Sequence, residues 1–163
     1  MKTLSILRHA KSSWENTSLD DFDRPILSKG LARTQKVCKY MLNMHLKPDC
    51  LLTSPALRAF QTANIVIEEL NLSLVPQICK KFYPGGVDEI LDEISKLSQN
   101  IEHVMVVGHN PVLTDLLTHV CKELDIDWLP TSGLAILEFE ISEWKEIKGK
   151  IGACTHYAIP KEL

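Results

Sequence analysis

The sequence predicts a single α/β domain with a mostly parallel central sheet. Short apolar runs alternate with amphipathic helical patterns along all 163 residues, and no repeat, low-complexity tract or flexible linker interrupts them. The clearest run, residues 103–107, is rich in β-branched residues and is closed by Gly108, as expected for a buried parallel strand. Since 163 residues can bury one substantial core, we assign residues 1–163 to one domain.

The first half of the chain contains two predicted strands and two predicted helices. Residues 3–7 and Cys50–Thr53 are short apolar runs that predict strands. An imperfect apolar stripe predicts a helix from Ser28 to about residue 44. Ser54 and Pro55 combine a capping side chain with a first-turn proline, and so predict that a second helix runs to about residue 70.

Turn chemistry and apolar periodicity indicate the remaining elements. In chain order these are an extended segment at Leu74 and Val75, a loop at 83–86, helices at 87–97 and from Asn110-Pro111 to about 121, and strands at 135–141 and 153–159. The last two strands follow each other without an intervening helix, which favours an antiparallel edge.

The composition indicates the kind of partner that the chain binds. With 45% hydrophobic residues, 24% charged residues and a net charge of −3, it offers no electrostatic case for nucleic acid or an anionic membrane. The first residues lead directly into a strand, and no apolar run is long enough to cross a bilayer, so we expect a cytoplasmic location. The five cysteines form no C-x-x-C pair, which argues against a zinc-thiolate site.

Three predicted strand ends carry cationic or imidazole side chains. The first strand ends in Arg8-His9, the second leads into Ser54 and Arg58, and residues 103–107 lead into His109. Because the carboxyl ends of parallel strands meet at one edge of a sheet, these side chains should converge there. Arginine engages phosphoryl oxygens through two parallel hydrogen bonds, and helix N-termini also attract anions. The sequence therefore predicts a phosphate site.

The candidate nucleophile at this site is a histidine. The chain has no Walker-type phosphate loop, and no cysteine is followed six positions later by the arginine that a cysteine phosphatase needs. A neutral imidazole can attack a phosphoryl group and hold it as a phosphoramidate. We therefore take His9 as the nucleophile, with His109 as a hydrogen-bond donor to the charge that develops on the oxygens.

Taken in order, these motifs resemble those of the histidine phosphatase superfamily. The matching stretches are Arg8-His9, residues 54–59 (SPALRA) with 61–63 (QTA), and residues 108–111 (GHNP). Residues 9–14 (HAKSSW), 21–25 (DFDRP) and 27–30 (LSKG) are similar to the SixA-type phosphohistidine phosphatase branch, and the resemblance covers essentially the whole chain.

The resemblance has specific implications for fold and site. It implies a phosphoglycerate mutase-like three-layer α/β/α sandwich that needs no metal or cofactor. His9 would be the phosphorylated nucleophile, Arg8 and Arg58 the phosphate clamps, and His109 the second histidine of the pocket. Arg24 matches a further arginine near the phosphate, although it could instead form a salt bridge with a neighbouring aspartate.

The sequence also suggests the kind of substrate. Larger members of the superfamily carry an acidic proton donor where this chain reads FYPGG at 82–86, without a carboxylate. An alkoxide leaving group needs such an acid, which contributes roughly 10²–10⁴-fold to the rate. Imidazole has a pKa of about 6.5 and needs it less, so phosphohistidine on a protein fits best. Asp23 is the one candidate for a weak acid, although a turn or cap role suits it too.

Two alternative functions follow from the same residues. One keeps the chemistry but changes the substrate to a small phosphomonoester or phosphoanhydride. The other is a non-catalytic module that binds a phosphorylated partner. The presence of both histidines together with both clamp arginines favours catalysis over binding alone.

Overall fold

A six-stranded mixed sheet forms the centre of the structure, a computed structural model that describes residues 1–163. The strands are β1 (Lys2–Arg8), β2 (Cys50–Thr53), β3 (Gln77–Ile78), β4 (His103–Gly108), β5 (Leu134–Phe139) and β6 (Ala153–Ala158). Their order across the sheet is β3-β2-β4-β1-β5-β6. The central strands β2, β4 and β1 are parallel, whereas β5 and β6 form the antiparallel edge that the sequence predicts.

Four helices cover the two faces of this sheet. They are α1 (Ser28–Asn43), α2 (Leu57–Glu69), α3 (Val87–Ser95) and α4 (Val112–Val120). Short 3-10 helices lie at Asp21–Asp23, Lys80–Phe82, Trp144–Glu146 and Pro160–Glu162. No helix is long and apolar enough to cross a membrane.

Alternating side chains of the central strands build two separate cores. On β1, Leu4 and Ile6 point into a cluster of 22 buried residues that includes the apolar faces of α3 and α4. Leu7 points to the other side, into a cluster of 14 buried residues that includes α1 and α2. This period of two places helices on both faces. The predicted three-layer sandwich is confirmed.

The extended segment predicted at Leu74 and Val75 is wrong by a few residues. The third strand is Gln77–Ile78, which pairs with Leu52 and Thr53. Val75 is 81% exposed and precedes Pro76, whose missing N–H cannot contribute to a sheet ladder. Pairing therefore begins only after the proline.

Both cap-plus-proline signals predict a helix start that lies slightly before the observed one. The helices begin at Leu57 and Val112 rather than at the prolines, and the helix predicted to reach residue 97 ends at Ser95. Ser54 does not cap α2 as predicted: its Oγ accepts a hydrogen bond from the Ala56 amide (3.2 Å), before the helix begins. The Ser54 hydroxyl is instead engaged at the site described next.

Candidate active site

Backbone hydrogen bonds hold the three central strand ends together. Arg8 and Gly108 are paired across β1 and β4, and the His9 amide donates to the Gly108 carbonyl (3.0 Å). On the other side of β4, the Ser54 amide donates to the Val107 carbonyl (3.0 Å). The predicted convergence of Arg8, His9, Arg58 and His109 at one sheet edge is therefore what the structure shows.

His9 is a buried, uncharged imidazole. Its side chain lies just beyond β1 with 6% exposure, and its Nδ1 is 2.8 Å from the Ala10 carbonyl oxygen. Since a carbonyl oxygen only accepts, Nδ1 carries the proton and Nε2 keeps its lone pair. Burial lowers the pKa of His9 to about 3, against the raising effect of the Ala10 hydrogen bond, and nearby His109, Arg58 and Arg8 lower it further.

His109 faces His9 across the site, with ring centroids 5.2 Å apart. Burial, followed by the nearby Arg58 cation, lowers its pKa to about 4, so its ring is also neutral at pH 7. Its Nε2 lies 2.6 Å from Ser54 Oγ. When the Ser54 hydroxyl donates to Nε2, the proton of His109 resides on Nδ1, which has no partner in the protein.

Arg8 and Arg58 contribute guanidinium groups from two sides. Arg8 Nη1 donates to the Leu129 carbonyl (3.2 Å), and Arg58 lies in the first turn of α2 with 5% exposure. Burial and then the nearby Arg58 cation lower the pKa of Arg8, because two cations share one small region. A bound anion would relieve that repulsion.

Three buried side-chain nitrogens in this region have no hydrogen-bond partner; the two arginine nitrogens are always donors, and His109 Nδ1 is a donor when the Ser54 hydroxyl donates to Nε2. Arg8 Nε, Arg58 Nε and His109 Nδ1 are the only buried side-chain nitrogen or oxygen atoms in the protein without a hydrogen-bond partner. Native structures leave few buried polar groups unpaired, and such groups deserve a functional explanation. All three belong to residues that line one pocket, and an oxyanion provides the acceptors they lack.

The pocket has a volume of about 380 Å³ and a cationic lining. The lining residues are Arg8, His9, Lys11, Ser12, Trp14, Arg24, Arg33, Arg58, His109, Asn110 and Thr131. They include five cations and no carboxylate, so the pocket favours an anion. Two larger depressions, of about 750 and 460 Å³, lie beside β5 and β6 and contain none of the predicted site residues.

Asp21 is the functional residue that sequence reasoning underrated. Its Oδ2 accepts from Arg58 Nη2 (3.0 Å) and from the Tyr83 hydroxyl (2.7 Å), and its Oδ1 accepts from Arg24 Nη2 (2.9 Å) and Nε (3.1 Å). Its backbone carbonyl also accepts from Arg58 Nη1 (2.7 Å). Although partial burial opposes ionisation, the Tyr83, Arg24 and Arg58 hydrogen bonds lower the pKa of Asp21 to about 2.

Arg24 combines the two roles considered for it. It pairs with Asp21 and also lines the pocket, where its Nη1 donates to Ser12 Oγ (2.6 Å) and its guanidinium stacks on Trp14 at 3.5 Å. Asp23 differs: its side chain is exposed, makes no hydrogen bond and does not line the pocket. The three-residue spacing between Asp21 and Arg24 was the available signal for the pair.

Two further cations were not singled out from the sequence. Lys11 lies in the loop after β1, and Arg33 lies on α1. Lys11 reaches the pocket from this loop itself, whereas Arg33 reaches it because α1 packs against the loop. The Leu27 amide donates to the Lys11 carbonyl (2.8 Å), which fixes this approach.

Fold and site together define an α/β protein with a cationic pocket built around two facing neutral histidines. Residues 4–80 match the family model of the histidine phosphatase superfamily, branch 1. The matched residues make up just under half of the chain and include Arg8, His9 and Arg58.

Three known proteins illustrate the relationship. An uncharacterized protein of Mycobacterium tuberculosis strain H37Rv is 23% identical over 164 residues, covering 95% of this chain and 100% of its own. A 2,3-bisphosphoglycerate-dependent phosphoglycerate mutase of Rhodococcus opacus strain B4 is 35% identical over 78 residues, covering 47% of this chain and 31% of the mutase. The structure of the protein histidine phosphatase SixA complexed with tungstate covers 98% of both chains with a TM-score of 0.84 at 20% identity. This last likeness shows a shared fold.

Proposed function

We propose that this protein is a phosphatase that forms a phosphohistidine intermediate on His9 and removes phosphate from phosphohistidine on a protein. The observation that carries the proposal is the set of three unpartnered buried donors, on Arg8, Arg58 and His109, beside an imidazole whose free nitrogen is Nε2. This arrangement supplies a nucleophile and the donors that a phosphoryl group requires.

The reaction has two displacements. His9 Nε2 attacks phosphorus, so that an N–P bond forms while the bond to the leaving group breaks and the leaving group keeps the electron pair. Water then attacks the phosphorylated His9 and gives inorganic phosphate, and His9 recovers its lone pair. Arg8 and Arg58 bind the equatorial oxygens, and His109 Nδ1 donates to an oxygen on which charge increases.

The state of Asp21 supports phosphohistidine as the substrate. It is the carboxylate bonded to the site arginines, and with a pKa of about 2 it holds no proton to donate at neutral pH. Tyr83 donates its hydroxyl proton to that carboxylate, which raises the pKa of Tyr83 and makes it a poor acid as well. An alkoxide would leave without assistance, whereas an imidazole that is protonated on its ring leaves as a stable neutral base.

The likeness to SixA supports the same substrate class. That protein is described as a protein histidine phosphatase and binds tungstate, a tetrahedral oxyanion. By contrast, the similarity to the mutase spans only 78 residues. A small phosphomonoester or phosphoanhydride is therefore the alternative that the experiment must separate.

The direct test compares substrates and variants. Phosphate release is measured from a histidine-containing protein phosphorylated with phosphoramidate, from an aryl phosphate and from a sugar phosphate. We expect the highest kcat/KM on the phosphohistidine protein and a loss of at least about 10³-fold in His9→Ala. Equal release by wild type and His9→Ala would overturn the mechanism. Faster turnover of the sugar phosphate would overturn the substrate assignment.

Arg58→Lys provides a matched test of the clamp. Lysine keeps the charge but loses the planar pair of donors. We expect a fall of about 10²-fold in kcat/KM, the size seen when one preorganised donor is removed. An unchanged rate and phosphate affinity would show that Arg58 does not contact the phosphoryl group.

A further inference from the structure

One aromatic side chain lines the pocket and three more are connected to its lining through ring contacts; we call Trp14, Phe22, Tyr83 and Trp128 the aromatic rim. Trp14 is 73% exposed, Trp128 is 53% exposed and Phe22 is 38% exposed. The third tryptophan of the chain, Trp144, is fully buried. Exposing large apolar rings together is unfavourable in water, so a cluster of them marks an interaction surface.

Each side of the rim contacts a different residue of the pocket lining. Trp14 carries the Arg24 guanidinium at 3.5 Å from its ring centroid, and the Arg8 guanidinium lies 5.6 Å from the Trp128 ring. On the third side, the Tyr83 ring is 5.5 Å from the ring of His109.

Phe22 extends the third side outwards, packing edge-on against Tyr83 at 5.4 Å. The rim is therefore continuous with the cationic interior, although only Trp14 lines the pocket itself. A phosphoryl group that enters the pocket while still attached to its carrier brings that carrier towards these rings.

The chemistry of pocket and rim indicates one occupant. The interior offers five cations and a single apolar residue, so it recognises the phosphoryl group and provides little for an organic carrier. The rim instead offers apolar surface for an organic carrier, with tryptophan rings of the kind that anchor protein interfaces. A small phosphorylated metabolite would be held by the interior alone and would leave Phe22 and Trp128 in water.

We infer that the aromatic rim is a docking surface for a folded protein that presents a phosphorylated histidine among apolar neighbours. This inference rests on the proposed function and names the residues that would recognise the protein part of the substrate. The phosphoryl group supplies the charge complementarity, and the rim supplies apolar contact around it. The carrier protein then contributes binding energy that free phosphohistidine lacks.

The test compares one reaction on two carriers. For Trp128→Ala and Phe22→Ala, kcat/KM is measured on a phosphoramidate-phosphorylated protein and on the free amino acid phosphohistidine. Val75→Ala is the matched control, because Val75 is an apolar side chain that is 81% exposed and does not line the pocket. We expect the ratio of protein to amino-acid kcat/KM to fall at least about tenfold in the rim variants, through KM, and to stay constant in the control.

Each other outcome overturns the inference in a recognisable way. If both substrates lose activity equally, the rim only supports the site arginines. If neither changes, the rim does not contact the carrier, and a concentration-dependent change in oligomeric state would assign it to self-association. If wild type releases no phosphate from the protein in a His9-dependent manner, the proposed function itself fails, and the rim's role fails with it.

Discussion

The His9 imidazole is the smallest unit on which the proposed chemistry depends. The Ala10 carbonyl holds the proton on Nδ1, while burial keeps the ring uncharged. No carboxylate lines the pocket to act as a base towards this ring. The nucleophile is therefore prepared by its position and tautomer, since the neutral Nε2 already has the lone pair that attacks phosphorus.

His9 should remain neutral across the physiological range. Since its pKa is lowered to about 3, we expect its Cε1 proton resonance to stay constant between about pH 8 and about pH 5, whereas an ordinary histidine titrates near 6.5. The His9→Gln spectrum assigns the resonance. A midpoint near 6.5 for His9 would contradict the buried, uncharged state.

Asp21 should affect turnover more than binding. In Asp21→Asn the two arginines lose an ionised acceptor and their orientation, but the site gains positive potential, so we expect kcat to fall about tenfold with little change in KM. Steady-state kinetics on an aryl phosphate measure this. The neighbouring Asp23→Asn is the control and should leave both constants unchanged, because Asp23 is exposed without a side-chain hydrogen bond. A matching loss in Asp23→Asn would revive Asp23 as the acid.

At the scale of elements, the loop after β1 is positioned by both helices of one face. The Ala10 amide donates to Thr62 Oγ1 on α2 (2.9 Å), and the Lys11 backbone packs against Gly30 on α1. On the remaining side, the Ser132 amide donates to the His9 carbonyl (3.2 Å). The geometry of His9 therefore depends on helix packing as well as on the strand that precedes it.

Gly30→Ala should reverse the usual effect of replacing glycine in a helix. A Cβ at Gly30 would lie 2.5 Å from the Lys11 carbonyl oxygen and 2.9 Å from its amide nitrogen, both rigid backbone atoms. We expect the free energy of unfolding to fall by about 1–3 kcal/mol and activity to fall with it, whereas helix propensity alone would add about 1 kcal/mol. Urea denaturation and phosphate release test this.

The control for Gly30→Ala is the exposed neighbour Ala32 on the same helix. Ala32→Gly should cost about 1 kcal/mol through helix propensity and leave the rate intact. Increased stability in Gly30→Ala would mean that the loop can move away from α1 and that its position is not fixed there.

The sequence predicts the elements and site residues that have a local pattern, but not those that are placed by tertiary packing. β2 and the four helices were predictable because each has a local apolar pattern. Arg8, His9 and His109 lie at the ends of such patterns, and Arg58 follows β2 at the start of the next helix, so these four were predictable as well. The two-residue β3 has exposed side chains and no pattern of its own. Asp21 and Arg33 reach the site through tertiary packing, which no local pattern records.

At the scale of the whole molecule, a single sheet between two cores brings distant parts of the chain to one pocket. Because β4 lies between β1 and β2, the ends of strands that are about 50 residues apart in sequence become neighbours. The same packing buries His9 and His103, and leaves His109 largely enclosed. Function and stability are therefore linked through uncharged histidines.

Stability should fall on mild acidification. The pKa values of His9, His103 and His109 are lowered to about 3, 4 and 4 in the folded state, while an unfolded histidine binds a proton near 6.5. Because the unfolded state binds more protons below that pH, each histidine reduces the free energy of unfolding by up to about 1.4 kcal/mol per pH unit, from about 6.5 down to its folded pKa. Urea titrations at about pH 7.5 and about pH 5 measure the difference.

His103→Gln should weaken the pH dependence of stability without changing the pocket. His103 lies at the opposite end of β4, where its ring forms a hydrogen bond with the Ser5 hydroxyl. Equal stability of wild type at both pH values would contradict the buried neutral state of these rings.

Trapping the phosphorylated enzyme shows whether His9 carries the phosphoryl group during turnover. The protein is mixed with a protein bearing ³²P-labelled phosphohistidine, quenched in alkali within the turnover time, and digested for mass spectrometry. We expect an acid-labile, alkali-stable phosphoryl group on His9, attached at Nε2 because Nδ1 donates to the Ala10 carbonyl, and we expect none in His9→Ala. Phosphate on any other residue, or undiminished turnover by His9→Ala, would contradict this role of His9.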